Sequence, residues 1–419
     1  MIYKLQDLIK LKTQGVNTTT DKVKYVKKGF KIVQAKNIEQ YRVTFDEKNF
    51  IDEKTFYRMK ENHILNKGDI LFTNIGSQLG NCAIYNSEEK AIITWNVMKL
   101  VPNEKILKEY MCYLLNYNSK SIKQLNSSST MPFVSGKELM NFEMEVPNIN
   151  CQAKSIKILS NINKKIELNN KINDNLQELI NNLFIKFFIN VKLDEYEIQE
   201  TELGHIPVDW KVGVLSDIVE FYNGYGFDSK KMLDEEVDKS YKVFKMGNIN
   251  IGGGINKSKT KSWMKLEDCV GLDKFIAKKG DILMCMTDMK NSGNPLLGHT
   301  ALIDTDDEFV INQRVGLLRC NKGIGYAYVY TLSNLDFFIA DIRSRANSGV
   351  QVNLTTKGIC ETKVIIPDSK SLEKFEKIAN PIYESKFNIL KENENLMKLR
   401  DVLLPKLMNG EIDLDKIEI

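Results

Sequence analysis

The chain has 419 residues, 42% of them hydrophobic and 27% charged, which is enough apolar material for more than one core and too much for a disordered chain. No apolar run approaches the ~18 residues that a membrane span needs, and the opening MIYKLQDLIKLK is too interrupted by charge for a secretory leader, so a soluble, cytoplasmic protein with no membrane partner is expected. Seven cysteines scattered singly argue against a zinc site and fit free thiols in a reducing compartment, and a net charge of +4 is only a weak argument for a nucleic-acid partner.

From the N-terminus, β-branched and aromatic runs at 31–33, 70–73 and 91–95, separated by Gly, Asn and Asp, predict strands, and a helix is expected near Ile106 to Asn116. The second half repeats this order at Lys242 to Lys245, Ile282 to Met286 and Glu308 to Ile311. The repetition extends to individual residues. Lys-Gly-Asp-Ile-Leu occurs twice, with its glycines at 68 and 280. Leu5-Gln6-Asp7-Leu8-Ile9 matches Leu215-Ser216-Asp217-Ile218-Val219, Asn37-Ile38 matches Asn248-Ile249, Gly80 to Ile84 matches Gly298 to Leu302, and Ser135 to Leu139 matches Thr355 to Ile359. The offset only grows along the chain, as loop insertions in the second copy would make it do. Two copies of a unit of roughly 200 residues follow, each read as mixed strand and loop with an appended helix.

The end of each copy changes period. Phe375, Ile382, Ile389, Leu396 and Leu403 recur every seven residues, and in the first copy Leu159, Ile162, Ile166, Leu176, Ile180 and Leu183 step by three and four. Both patterns predict long helices built to pack on another long helix. Asn169, Asn173 and Asn393 interrupt these seams, either to fix register or because the seam is locally open to water.

Catalytic chemistry is hard to find. His63, His205 and His299 are far apart in sequence, there is no Gly-x-x-x-x-Gly-Lys-Ser/Thr loop, and Gly252-Gly253-Gly254 lacks the spacing of a phosphate cradle. Gly293-Asn294-Pro295-Leu296 has one proline and no aromatic where an adenine methyltransferase would carry Asn-Pro-Pro-aromatic. Basic residues gather instead at Lys22 to Lys31, around Trp263, and at Lys120 and Lys123, as solvated surface or as phosphate contacts. A binding protein, with no catalytic residues and no metal on the chain, is the reading the residues favour.

Several of these stretches carry a resemblance. Glu202-Leu203-Gly204-His205-Ile206-Pro207-Val208-Asp209-Trp210 followed by Leu215-Ser216-Asp217-Ile218, the strand opening Lys278 to Leu283, the segment Ser348 to Leu354 leading to Ile365-Ile366-Pro367, and the ending Leu403 to Ile412 resemble the specificity subunit of type I restriction-modification systems. The first copy departs from the pattern. It has no Gly-x-Ile-Pro-x-x-Trp entrance, and Ser128-Ser129-Thr130-Met131 stands where the second copy has Ser348-Gly349-Val350-Gln351.

The resemblance implies an α/β (α+β) fold with two target recognition domains, built on mixed and antiparallel sheets, and two long helices packed as an antiparallel coiled coil. On it, residues 1–150 form the first recognition domain, 151–190 the first spacer helix, 191–370 the second recognition domain, and 371–419 the second spacer helix and C-terminal tail. Each domain would read half of a bipartite target in double-stranded DNA, and the helices would set the spacing. Implied partners are two modification (methyltransferase) subunits, which would hold S-adenosylmethionine, and restriction/translocase subunits; this chain would carry no cofactor. A coiled-coil adaptor without DNA specificity is the alternative. Because basic side chains neutralise phosphates and amides pair with base edges, the candidate DNA contacts are Lys120, Lys123, Ser127, Ser128 and Thr130 in the first copy. In the second they are Lys257, Lys259, Lys261, Arg343, Arg345, Asn347 and Gln351.

Overall fold

The two Lys-Gly-Asp sequences form the same turn. Gly68 and Gly280 take φ of 94° and 89°, values that favour glycine, and Asp69 and Asp281 each accept the N–H three residues back, from Asn66 and Lys278, at 2.8 Å. The turn leads into the buried strands Ile70–Thr73 and Ile282–Cys285. This computed structural model describes residues 1–45, 50–126, 131–191, 196–289, 296–347, 351–412 and 414. It divides into two units, Met1–Leu168 with Glu392–Ile419, and Asn169–Lys391.

In the first unit a four-stranded antiparallel sheet runs in the order Cys82–Ile84, Ile70–Thr73, Val97–Pro102, Ile9–Gln14. A second, mixed sheet pairs Phe30–Val33 in parallel with Ala91–Ile93, in the register Ile32 to Ile92. The helix Lys108–Tyr117 covers the first sheet, with Tyr110, Met111 and Leu115 buried among Leu5, Ile70 and Leu100. In the second unit the same order recurs as Thr300–Leu302, Ile282–Cys285, Val315–Cys320, Val219–Asn223, and Ser240–Phe244 pairs in parallel with Phe309–Ile311. The duplication is therefore one of topology and of local bonding: Ser135 and Thr355 cap matched short helices by accepting from Glu138 and Gly358 N–H at 3.1 and 3.0 Å.

The long helices are Ile149–Phe184, continued by a π-helical turn Ile185–Ile189, and Ser369–Met408. In the first unit Lys154 contacts the Leu414 carbonyl, Asn163 contacts Arg400, and Lys165 contacts Glu392, so the segments run antiparallel. In the second unit Gln177 meets Lys386 and Phe184 meets Phe375, again antiparallel. Leu159, Ile162, Ile180 and Phe375 are buried, Leu183, Ile382 and Leu403 pack against the cores, and Ile166, Leu176, Ile389 and Leu396 are half-buried. The seam asparagines are not open to water: Asn169, Asn393 and Asn173 are 1%, 4% and 9% exposed. Among the described residues no helix is long and apolar enough to cross a membrane.

Candidate nucleic-acid interface

At one end of each four-stranded sheet, three separate segments are tied together by backbone hydrogen bonds. In the first unit the tip Thr94-Trp95-Asn96 joins two strands, and the Asn96 carbonyl accepts from Asn74 N–H at 3.1 Å. Asn74 in turn accepts from Val134 N–H at 3.0 Å. In the second unit the tip is Asn312-Gln313-Arg314; the Arg314 carbonyl accepts from Met286 N–H at 3.2 Å, and Met286 accepts from Leu354 N–H at 2.8 Å. The stitched segments are thus the tip, the exit of the central strand, and the residues after the loop where the two copies diverge.

Glycine places the tips. Gly15 N–H donates to Val97 O and Gly224 N–H to Val315 O, both at 2.9 Å. A Cβ on either glycine would lie 2.1 Å from the carbonyl oxygen of Thr94 or Asn312, so only glycine lets the neighbouring strand approach. Behind the first tip, the Gln14 amide donates to Asn74 Oδ1 at 3.1 Å and also to the Trp95 carbonyl. What the tips present differs: Trp95 is 50% exposed, whereas Gln313 and Arg314 are both exposed. Among the described residues Arg314 makes no ion pair. An indole offers an apolar plane; an amide and a guanidinium offer paired donors and acceptors suited to base edges or phosphates.

The candidate contacts fall in several places. Lys120 and Lys123 are exposed on the short helix Ser119–Gln124, and Lys123 lies beside the Gly80 turn. Ser127, Ser128 and Thr130 lie outside the described residues. Asn347 and Gln351 belong to the stitched end: Asn347 Oδ1 accepts from Asn353 N–H at 2.9 Å, and Gln351 pairs with Met289. Arg343 donates its Nε–H to the Leu297 carbonyl at 2.9 Å, and Arg345 is bound to Asp341 at 3.1 Å. Lys257 belongs to the other sheet, bonded to Asp304 and Glu308 at 3.1 and 2.9 Å, while Lys259 and Lys261 are exposed on the same segment. Burial acts on Glu308 to push its pKa up, but the two lysines beside it outweigh this and hold it below the usual carboxylate range.

The tip residues escaped the sequence reading because they sit inside apolar runs, VINQRV and ITWNVM, that read as strand. The signal that could have found them is positional: Trp95 and Gln313 share the offset already set by Gly80 and Gly298. Elsewhere, His299 is 7% exposed, its Nδ1 accepts from Gly252 N–H at 3.3 Å, and burial holds its pKa below the usual imidazole value. Among the described residues no group of three His, Cys, Asp or Glu side chains could hold a metal ion.

Comparison with known proteins agrees with this doubled architecture. The family "Type I restriction modification DNA specificity domain" matches residues 1–178 and again 207–395. The chain is 24% identical over 361 residues to the type I restriction enzyme MjaVIII specificity subunit of Methanocaldococcus jannaschii, covering 83% of this chain and 80% of the relative. To the MjaIX specificity subunit of the same organism it is 25% identical over 365 residues, covering 84% and 80%. The crystal structure of the S subunit from M. genitalium has the same fold, with a TM-score of 0.53 and 16% identity over 97% of this chain and 96% of that one. The chain belongs to the type I restriction-modification DNA specificity family, and it is a specificity subunit, the non-catalytic part of such an enzyme that selects the DNA.

Proposed function

We propose that each recognition domain reads its half of a bipartite DNA target with the stitched end of its four-stranded sheet. The observation that carries this is the repeated bonding of tip, strand exit and divergent loop, which holds one backbone frame while the exposed side chains change from Trp95 to Gln313 and Arg314. A common frame with different side chains is what two readers of different half-sites require, since backbone contacts position and side chains at base edges specify. Asn347, Gln351, Lys120 and Lys123 join these surfaces as secondary contacts. Lys259 and Lys261 supply phosphate contacts, whereas Arg343 and Arg345 are engaged by the Leu297 carbonyl and by Asp341.

The long helices are the docking faces for two modification subunits, which hold S-adenosylmethionine, and through them for restriction subunits. Exposed apolar side chains support this reading: Ile172, Leu179 and Ile378 in the second unit, and Leu168, Met397, Leu399 and Val402 in the first, are all more than a third exposed. Such a complex works in the cytoplasm, where host DNA is methylated. An adaptor without DNA specificity is disfavoured by the family match over both halves. The test is co-expression with a cognate modification subunit and mapping of methylated adenines across the host genome. A two-part motif is expected; methylation without sequence preference would sink the reading.

A further inference from the structure

The turn after Ile38 in the first unit and the turn after Ile249 in the second follow one plan, with Ile38 opposite Val43 and Ile249 opposite Ile255. Tyr41 N–H donates to the Cys82 carbonyl at 3.0 Å, and Gly254 N–H donates to the Thr300 carbonyl at 3.2 Å. Cys82 and Thr300 are themselves matched, since each gives its backbone N–H to an asparagine side chain, Asn116 or Asn334, at 3.1 Å. Gly254 therefore stands where the first unit has Tyr41.

The consequence differs between the units. Tyr41 takes a φ of 69° and packs its ring 5.1 Å from that of Tyr113, with the Arg400 guanidinium 4.9 Å from the ring centre. The second unit instead has three glycines, Gly252, Gly253 and Gly254, at φ of 81°, 99° and 100°. Where the ring would lie there is a cavity of about 470 Å³, bounded by Gly254, Tyr330, Tyr383, Phe387, Lys386 and Asn173.

The walls keep what a bound ring would use. The Lys386 ammonium lies 5.9 Å from the Tyr383 ring and donates to Gln177 Oε1, and burial pushes its pKa down to about 8. Asn173 is only 9% exposed, yet neither its amide nitrogen nor its oxygen has a partner among the described residues. A buried amide left unpaired is costly, and a polar ring edge would pair it; a cation at an aromatic wall favours a second aromatic face.

We propose that this cavity is a binding site for a planar aromatic group with a polar edge, the size of a tyrosine side chain, supplied from outside the chain. The first unit has its own Tyr41 at this turn; the second has Gly254 there, and a lysine and an unpaired amide at the cavity wall. This inference is independent of how the stitched ends read DNA.

The probe is p-cresol, the tyrosine side chain as a free molecule, titrated into the full chain and followed by saturation-transfer NMR. Saturable binding is expected, weakened roughly tenfold or more by Gly254→Tyr, which restores the side chain of the first unit. Asn181→Phe fills the cavity from a helix and makes no demand for a left-handed backbone, so it serves if Gly254→Tyr is misfolded by circular dichroism. Absence of saturable binding, or equal binding by the wild type and both filled variants, overturns the proposal. Co-expression with a modification subunit identifies the source: assembly lost in the filled variants assigns the ring to that partner, and assembly retained assigns it to a free small molecule.

Discussion

Trp210 donates its indole N–H to Asp368 Oδ2 at 2.9 Å, joining the entrance of the second domain to the start of the second long helix. Asp368 caps that helix, accepting from Lys370 N–H and Ser371 N–H at 2.9 and 3.1 Å. Burial pushes the carboxyl up, but the bonds from Ser371, Trp210 and Lys370 together hold its pKa below the usual range. A carboxylate depressed by folding stabilises above its unfolded pKa of about 3.9, and the effect is lost as pH falls through the folded value. Trp210→Phe should cost about 1–2 kcal/mol at neutral pH, and the gap to wild type should narrow below about pH 4. Urea unfolding at several pH values checks it; a gap that does not change with pH excludes Asp368 as the cause.

The aspartates of the two Lys-Gly-Asp turns each hold a cation. Asp69 lies 3.3 Å from the Lys99 ammonium, which is 4% exposed, and Asp281 lies 3.1 Å from Arg319 Nε. Asp69→Ala leaves a buried ammonium without its counter-charge, with the Ile64 carbonyl at 2.8 Å as its remaining partner, and should destabilise by about 3–5 kcal/mol. Asp281→Ala should cost less, because the Arg319 side chain is 27% exposed and can reach water. Chemical denaturation measures both, and the reverse ranking would count against burial as the deciding variable.

At the tips, Gln313→Ala with Arg314→Ala should change or relax one half of the methylated motif and leave the melting temperature near wild type, since both side chains are exposed. Discrimination of about 1–3 kcal/mol for each paired base contact should be lost. Trp95→Ala should affect the other half. Arg343→Ala should behave differently, lowering stability by breaking its bond to the Leu297 carbonyl. Motif mapping together with thermal melting separates the cases; an unaltered motif in the double variant would remove the tip from the interface.

Deleting one heptad from both long helices shortens each by about 10 Å at 1.5 Å per residue, close to three base pairs at 3.4 Å. The gap between the half-sites should shrink by that amount, with both half-sites unchanged. Altered half-sites at constant spacing would contradict the spacer role.

Lys386 shares with Asp368 a stability that rises with pH, in a different range, but its removal should have the opposite effect, because folding disfavours its charged form. A lysine whose pKa is depressed by folding, here to about 8, binds its proton more tightly in the unfolded chain, so stability rises with pH between about 8 and 10.4. Lys386→Met should lack that rise and gain on wild type below pH 8. Parallel stability curves for the two proteins across this range would show that the amine is not buried in solution.

The amino-acid sequence by itself determined the duplication, the buried strands and the two long helices, because each is written in local periodicity or in glycines whose φ the turn dictates. Gly68 and Gly280, Ile70 to Thr73, and the seam from Phe375 to Leu403 are of this kind. Only the tertiary structure decided which polar residues are free to act. Arg343, Arg345 and Lys257 look like solvent-facing cations in a linear reading, but each is held by a partner 46 or more residues away or by a neighbour on its own helix: the Leu297 carbonyl, Asp304 and Glu308, or Asp341. Gln313 and Arg314, set within an apolar run, project from a tip whose position depends on the approach of Gly224 from a distant strand. Tyr41 and Gly254 make the same point. Their equivalence rests on hydrogen bonds to Cys82 and Thr300, and non-local contacts of this kind arise from packing, which a periodicity of neighbouring residues does not encode.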